Sequence, residues 1–170
     1  MNRSLLCLII LLVTPLSYSK KISITFDDAP LAGSHLMSGE DKTQKIIKHL
    51  KEKNVPDSLF FVTTGNITSK SDSQRLNSYS SAGFHLAHHS HSHLSASKVE
   101  ASSYLNDFDT AHLILNQFNN VLKYHRPPYL HYGETASKRT RIESHLKNKG
   151  YDFGYVTVDN FDWYINSKLL

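Results

Sequence analysis

The amino-acid sequence predicts an α/β fold in which parallel strands alternate with helices. Apolar runs rich in β-branched and aromatic residues recur along the chain, and helical patterns separate them. Short polar clusters follow four of these runs, and the carboxyl ends of parallel strands meet on one face of a sheet. The 170 residues are enough for one domain, or for part of one.

Five strands and four helices are predicted in alternation. Ile22, Ile24 and Phe26 alternate along the first strand, as expected for a half-buried strand. Asp41 is the candidate N-cap of the first helix, and Thr135 is that of the last. The predicted strands cover residues 21–26, 58–63, 84–87, 123–126 and 153–158, and the predicted helices cover residues 42–53, 72–81, 98–119 and 136–149.

Composition excludes some classes of protein. Hydrophobic residues make up 39% of the chain and charged residues 20%, which allows a packed core. The formal net charge is +4, but the basic residues are dispersed and no aromatic residues interleave with them. We therefore interpret them as solvated helix faces and expect no nucleic-acid partner.

The N-terminus has the features of a secretory signal peptide over residues 1–19. Arg3 precedes an apolar run over 5–13, and Ser17 and Ser19 are small residues at the positions that a signal peptidase requires. We expect cleavage after Ser19, a mature domain over 20–170, export to the periplasm or outside the cell, and no stable membrane anchor. An uncleaved anchor is the alternative. Cys7 lies within this segment, so the mature chain would have no disulfide.

A histidine cluster follows the third predicted strand. His89 and His93 are four residues apart, and on a helical turn both imidazoles could face one metal ion. Asp28, after the first strand, is the candidate third ligand. Asp27 would point in a different direction, since successive residues of a strand face opposite sides, and it could act as a general base on a water molecule.

Two further clusters could complete such a site. Arg126 follows the fourth strand, and its positive charge could hold Asp27 ionised and oriented. Asp162 could position Arg126, and Trp163 could supply an apolar wall. The paired aspartates, the arginine segment and the Asp-Trp segment are each more typical of a turn or a loop, and the histidine pair alone is as typical of a surface as of a metal site. Four such patterns at four strand ends nevertheless indicate one shared site.

These residues resemble the four motifs of the polysaccharide deacetylase family, the NodB-homology carbohydrate esterases. The motifs here read TFDDAP at 25–30, HSHSH at 89–93, RPPY at 126–129 and DNFDW at 159–163. They occur in the order found in the family and extend over nearly the whole mature chain. The resemblance implies a distorted (β/α) barrel that hydrolyses N-acetyl or O-acetyl groups on polysaccharide or peptidoglycan sugars.

The resemblance also implies a role for each motif residue. The metal would be zinc by preference, although cobalt, nickel or manganese could occupy the same ligands. The implied general base is Asp27, and the implied metal ligands are Asp28, His89 and His93. The Tyr129 N–H would stabilise the oxyanion and Trp163 would line the acetyl pocket, while Arg126 and Asp162 would tune the base.

The family has a fifth motif, L-x-x-H, whose histidine is the general acid, and it is expected on a later strand. The letters at 122–125 match it but precede the third motif. A mature chain of about 150 residues is also short for a closed barrel of about 200 or more. We therefore expect an incomplete barrel that lacks its C-terminal part and has an open sheet edge.

Two alternatives stay open: a catalytically defective remnant that binds metal or glycan, and a non-sugar amide hydrolase. The oligomeric state also stays open.

Overall fold

The structure is a computed structural model that describes residues 22–169. Five parallel strands form one sheet in sequential order, which confirms the predicted α/β fold with an open, incomplete sheet. The predicted signal peptide lies outside the described residues. The strands are Ile24–Ala29 (β1), Ser58–Val62 (β2), His85–His88 (β3), Val121–His125 (β4) and Asp152–Phe153 (β5).

Helices follow the strands as predicted, with small shifts at their ends. Ser38, and not Asp41, caps the first helix, because the Ser38 hydroxyl accepts a hydrogen bond from the Asp41 N–H (3.1 Å). Thr135 caps the fourth helix as predicted, accepting from the Lys138 N–H (3.2 Å). The helices are Gly39–Glu52 (α1), Lys70–Ser81 (α2), Ala101–Leu115 (α3), Ala136–Asn148 (α4) and Asp162–Leu169 (α5).

The last part of the chain differs from the prediction. The strand expected over 153–158 is limited to the two residues of β5, and α5 was not expected at all. Residues 156–158 have high β-propensity, but that propensity reflects packing on a half-buried surface. Val158 is 83% exposed, so these residues bury too little apolar area to form a strand.

Apolar side chains pack on both faces of the sheet. On one face Phe60 stacks between Phe26 and Tyr79, with ring centroids 4.8 and 3.8 Å apart. On the same face α3 and α4 pack together through a second core cluster, whose Phe108 stacks on His88 of β3 with ring centroids 4.1 Å apart. The continuous apolar run of β2 is explained by burial on both faces. The second cluster comprises Ala96, Tyr104, Leu105, Phe108, Ile142, Leu146 and Tyr151.

This architecture brings three distant segments to one edge of the sheet. Asp27 and Asp28 lie at the carboxyl end of β1, His89 follows β3, and Arg126 follows β4. Because the strands are parallel, these ends face the same way. None of the described helices is long and apolar enough to cross a membrane.

Candidate metal centre

One carboxylate and two imidazoles converge at the carboxyl edge of the sheet. Asp28, His89 and His93 each direct one ligand atom into a group in which all such atoms lie within 4.8 Å of one another. The Asp28 Oδ1 atom is 3.3 Å from His93 Nε2 and 3.8 Å from His89 Nε2. Bonds of about 2.0–2.2 Å at tetrahedral angles place zinc ligand atoms roughly 3.3–3.6 Å apart. Both Asp28 distances are close to this spacing, so the three residues fit a divalent ion once their ligand atoms close around it.

His89 is held in the tautomer that a metal ligand needs. Its Nδ1 atom lies 2.8 Å from the Arg126 carbonyl oxygen, which can only accept, so Nδ1 carries the proton and the Nε2 lone pair faces Asp28. Burial lowers the pKa of His89, although the Asp27 and Asp28 carboxylates act in the opposite direction. The imidazole is therefore neutral, as metal binding requires.

The two histidines do not lie on a helical turn, and that part of the prediction is wrong. Residues 89–93 form an irregular loop in which Ser90 and His93 have positive φ angles of 73° and 55°. The His93 N–H donates to the Ser90 hydroxyl oxygen (3.0 Å), which closes the loop. The ring centroids of His89 and His93 are thereby only 5.2 Å apart.

Asp107 on α3 stabilises this loop, and sequence reasoning did not identify it. Its carboxylate accepts hydrogen bonds from the N–H groups of His91 (2.8 Å) and Ser92 (2.9 Å). The residue is 8% exposed. The only signal in the sequence is an acidic residue among the apolar positions of a helix, which alone does not identify a partner.

Both aspartates approach the same imidazole, contrary to the expected alternation. Asp27 Oδ2 is 3.9 Å from His89 Nε2, and Asp28 Oδ1 is 3.8 Å from it. The pairing of β1 with β2 shifts register between Phe26 and Ala29, and Asp28 has a φ of 62°. This bulge turns both carboxylates toward the metal centre.

Arg126 fixes the orientation of Asp27. One of its guanidinium nitrogens donates to Asp27 Oδ1 (2.5 Å) and to the Thr25 hydroxyl (2.9 Å), while its Nε donates to the Gly154 carbonyl (3.0 Å). The guanidinium carbon lies 3.9 Å from the centroid of the Phe61 ring. These contacts hold the buried guanidinium of Arg126 in one position, and the Asp27 carboxylate bound to it is held with it.

The side-chain ring of Tyr129 lies beside the metal centre. The ring centroid is 4.7 Å from that of His93. The residue has a φ of 59°, and in the described part of the chain its N–H donates to no acceptor. This N–H is available to a bound substrate.

Asp162 and Trp163 are not brought to the other site residues. Among the described residues, the guanidinium of Arg126 bonds to Thr25, Asp27 and Gly154, and the Asp162 carboxylate accepts instead from the Trp163 N–H (2.9 Å). The Trp163 indole is 63% exposed and lies against Phe161 and Tyr164. Their predicted roles therefore have no contact in the structure that supports them.

Comparison with known sequences decides the family. Residues 17–151 match the family described as polysaccharide deacetylase, which is more than half of the chain. The chain belongs to the polysaccharide deacetylase family. No curated protein matches the sequence. The expected resemblance is thus confirmed at the level of the family.

Solved structures of deacetylase-family proteins share the fold. A family 4 carbohydrate esterase from Streptomyces lividans, in complex with acetate, has 21% identity and a TM-score of 0.64, covering 85% of this chain and 66% of its own. The chitin deacetylase from Colletotrichum lindemuthianum has 20% identity and a TM-score of 0.65, covering 84% and 57%.

A third match is a mutant, with restored enzymatic activity, of a CE4 family pseudoenzyme whose wild type is from Bacillus anthracis. It has 18% identity and a TM-score of 0.68, covering 86% of this chain and 48% of its own. The chain thus spans about half to two thirds of the length of these proteins. At these identities the likeness establishes the fold alone.

Proposed function

We propose that this protein is a metal-dependent hydrolase that removes acetyl groups from N- or O-acetylated sugars of polysaccharide or peptidoglycan. The observation that carries the proposal is the Asp28, His89 and His93 group with the Asp27–Arg126 pair beside it. Family membership supports the reaction class. Structural neighbours include a peptidoglycan deacetylase from Bacillus subtilis and the fungal chitin deacetylase, which supports an acetylated glycan as substrate.

A divalent ion bound by the three ligands would lower the pKa of water and polarise the acetyl carbonyl. The ligand set of one carboxylate and two neutral imidazoles favours zinc, although cobalt, nickel or manganese would fit the same donors. We propose that Asp27 accepts the proton of the attacking water, because its carboxylate lies beside His89 and is free of the ligand group. Arg126 holds that carboxylate in position.

The Tyr129 N–H is the proposed donor to the acetyl oxygen as negative charge develops on it. A backbone donor that needs no rearrangement stabilises such charge effectively, and the ring of the same residue packs against His93. The roles of Asp162 as a partner of Arg126 and of Trp163 as a wall of the acetyl pocket remain proposals. Both require the segment after Gly154 to lie closer to the metal centre than it does here.

A second candidate is a protein that binds metal or glycan without turnover. Among the described residues, no third histidine joins Asp28, His89 and His93, so none is placed in that group as a general acid. His91 is engaged by the Thr64 hydroxyl (2.9 Å), and His131 by the Ser95 hydroxyl (2.7 Å). The similarity to a CE4 family pseudoenzyme also favours this candidate. A general acid is worth about 10²–10⁴-fold in rate, so its lack would leave binding without efficient turnover.

Zinc stoichiometry and acetate release from N-acetylated chitooligosaccharides and peptidoglycan test the proposal. We expect one zinc ion per chain, and Asp27→Asn should abolish acetate release while zinc remains bound. Asp57→Asn is the matched control, since its exposed carboxylate makes only a 3.8 Å contact with His85. Stoichiometric zinc without acetate release would support the second candidate, and lack of zinc binding would contradict the metal-dependent hydrolase and leave only a glycan-binding role. A panel of non-sugar amides distinguishes the remaining alternative, an amide hydrolase with the same metal site.

Export is proposed on the sequence of residues 1–19. Expression of the full chain in a bacterium with a secretory pathway, followed by N-terminal sequencing of the exported protein, tests this. A mature N-terminus at Lys20 is expected, and retention of Met1 on an exported protein would indicate an uncleaved anchor.

A further inference from the structure

Two buried histidines lie directly behind the metal centre and belong to no ligand group. His88 and His125 are the last residues of β3 and β4 and are register partners in the sheet. Both are fully buried. The next residue along each strand, His89 or Arg126, is part of the site. Two hydrogen bonds join the strand ends here. The Arg126 N–H donates to the His88 carbonyl (3.0 Å), and His89 Nδ1 donates to the Arg126 carbonyl.

The hydrogen bonds of this histidine pair allow only one arrangement of protons. His88 Nε2 is 3.0 Å from the Phe108 carbonyl oxygen, so it must carry a proton. His88 Nδ1 then accepts, and it does so from the Ser90 N–H (3.0 Å). His125 Nδ1 lies 2.8 Å from the same atom and must be the donor, while its Nε2 accepts from the Tyr104 hydroxyl (2.7 Å). All four ring nitrogens are satisfied, and both rings are neutral.

The pair reaches the metal ligands through Ser90. His88 Nδ1 binds the Ser90 backbone, and the Ser90 hydroxyl in turn accepts from the His93 N–H. Ser90 has a φ of 73°, a conformation that a non-glycine residue holds only when its surroundings impose it. The imidazole of His88 supplies part of that restraint, since it accepts the N–H of this residue.

We propose that His88 and His125, with Tyr104, are positioning residues that hold the loop between His89 and His93 in the geometry needed to bind the metal. An apolar pair of similar size would fill the same space but would leave the Ser90 N–H without its acceptor. The inference rests on the proposed metal site, which is why one of its tests needs no metal.

The discriminating variants are His88→Asn and His88→Leu. The Asn side-chain oxygen can occupy the place of Nδ1 and accept from both Ser90 and His125, whereas Leu keeps the volume and offers no acceptor. Outer residues that orient ligands are typically worth about 10–100-fold in metal affinity. We expect the zinc Kd, measured by chelator competition, to rise by about tenfold or more for His88→Leu and to stay within about threefold for His88→Asn.

Ile142→Ala is the control for loss of stability alone. Ile142 is fully buried in the second core cluster with Tyr104 and Phe108, and it contacts no metal ligand. Measured well below the unfolding temperature, its zinc Kd should equal that of the unaltered chain. Equal zinc affinities for the Leu and Asn variants would overturn the proposal.

Imidazole ¹⁵N NMR of the metal-free protein gives the independent readout. The unaltered chain should show protonated Nε2 on His88 and protonated Nδ1 on His125 and His89, with a coupling across the His125–His88 hydrogen bond. His88→Leu should shift and broaden the imidazole signals of His93, because the loop that orients His93 through Ser90 is released, whereas the Arg126 carbonyl still holds the tautomer of His89. A different proton arrangement in the unaltered chain, or unchanged His93 signals in His88→Leu, would refute the positioning role. Lack of zinc binding alongside the expected NMR signals would instead contradict the proposed function.

Discussion

The guanidinium of Arg126 lies 2.5 Å from the carboxylate of Asp27, although 99 positions separate the two residues in the sequence. The arginine side chain is buried and the carboxylate is partly exposed. The cation is therefore part of the folded framework, while the carboxylate at its end can reach solvent and substrate. The carboxylate proposed as the base is thus held in position by the fold and needs no substrate to orient it.

Replacing Arg126 by Lys should lower kcat by about tenfold or more, a magnitude typical for loss of a positioned catalytic group. An ammonium group cannot reproduce the separate contacts with Thr25, Asp27 and Gly154. The zinc Kd should change little, because His89 contacts only the backbone of Arg126. Steady-state kinetics and chelator competition measure the two effects. Arg139→Lys, at a cation beside the Tyr132 ring, is the control, and an equal loss in both variants would contradict the role of Arg126.

Gly154→Ala should destabilise the protein and disturb the Arg126 contacts. A Cβ atom at this position would lie 2.5 Å from Cζ of Phe61, which already packs against the guanidinium. Overpacking of this kind costs about 1–3 kcal/mol in the free energy of unfolding. Urea denaturation measures the effect. Phe61→Leu combined with Gly154→Ala should recover part of it, and strictly additive effects would show that the two residues do not clash.

Asp107→Asn should loosen the loop that carries the metal ligands. The carboxylate accepts two backbone N–H groups on separate oxygens, and an amide offers only one acceptor oxygen. We expect a loss of about 1.5–3 kcal/mol of stability, the range for hydrogen bonds to charged groups, with weaker zinc binding. Asp109→Asn, on the same helix but in more exposed ion pairs with His145 (2.9 Å) and Lys149 (3.2 Å), should cost about 1 kcal/mol or less. A similar loss in both variants would contradict the role of Asp107 in stabilising the loop.

Acid should destabilise the metal-free protein below the ordinary pKa of histidine, 6.5. Burial lowers the pKa of His88 to about 3, and it lowers the pKa of His125 and of His89 as well. The unfolded chain binds protons below pH 6.5 that these buried rings do not, so stability is full above that pH and is lost as pH falls toward the folded-state pKa values. Each histidine contributes up to about 1.4 kcal/mol per pH unit.

Urea denaturation between pH 7 and 5 measures this dependence. His88→Asn should make the slope of unfolding free energy against pH shallower by about one proton. His35→Asn, at an exposed side chain, is the control. An identical slope in the unaltered chain and in His88→Asn would contradict the assignment of the acid sensitivity to the buried pair.

Zinc should raise the thermal stability of the chain through its three ligands. Binding to the folded state alone adds about 4 kcal/mol at a free concentration 1,000 times the Kd. Asp28→Ala removes the ligand that contacts both histidines and should abolish the shift in Tm. Asp57→Asn should retain it. A zinc-dependent shift that persists in Asp28→Ala would place the ion elsewhere.

Strand periodicity and motif order were sufficient to predict the sheet, because buried parallel strands leave a strong apolar signal. The same apolar signal predicted a strand wrongly at residues 153–158, where Val158 is β-branched, as strand residues often are, but remains exposed. β-propensity describes the preference of a residue whose side chain is packed against neighbours, and it does not show whether such neighbours are present.

The convergence of Asp28, His89 and His93 was predictable from residue type and strand ends, whereas the backbone geometry that brings them together was not. The pairing of His89 with His93 suggested a helical turn, yet positive φ angles and the distant Asp107 bring them together. The bulge at Asp28 likewise has no marker in the sequence. The sequence showed His88 and His125 only as two additional histidines, because the contact between them depends on the register of β3 and β4.

The sequential strand order has a consequence for synthesis of the chain. Each strand pairs with the one made just before it, so the sheet can grow outward from β1 as the polypeptide emerges. Asp28, His89 and His93 are all present once β3 has been added, whereas the guanidinium that orients Asp27 arrives only with β4. The carbonyl of Arg126, which sets the tautomer of His89, arrives with the same strand, so the candidate site cannot be complete before β4 joins the sheet.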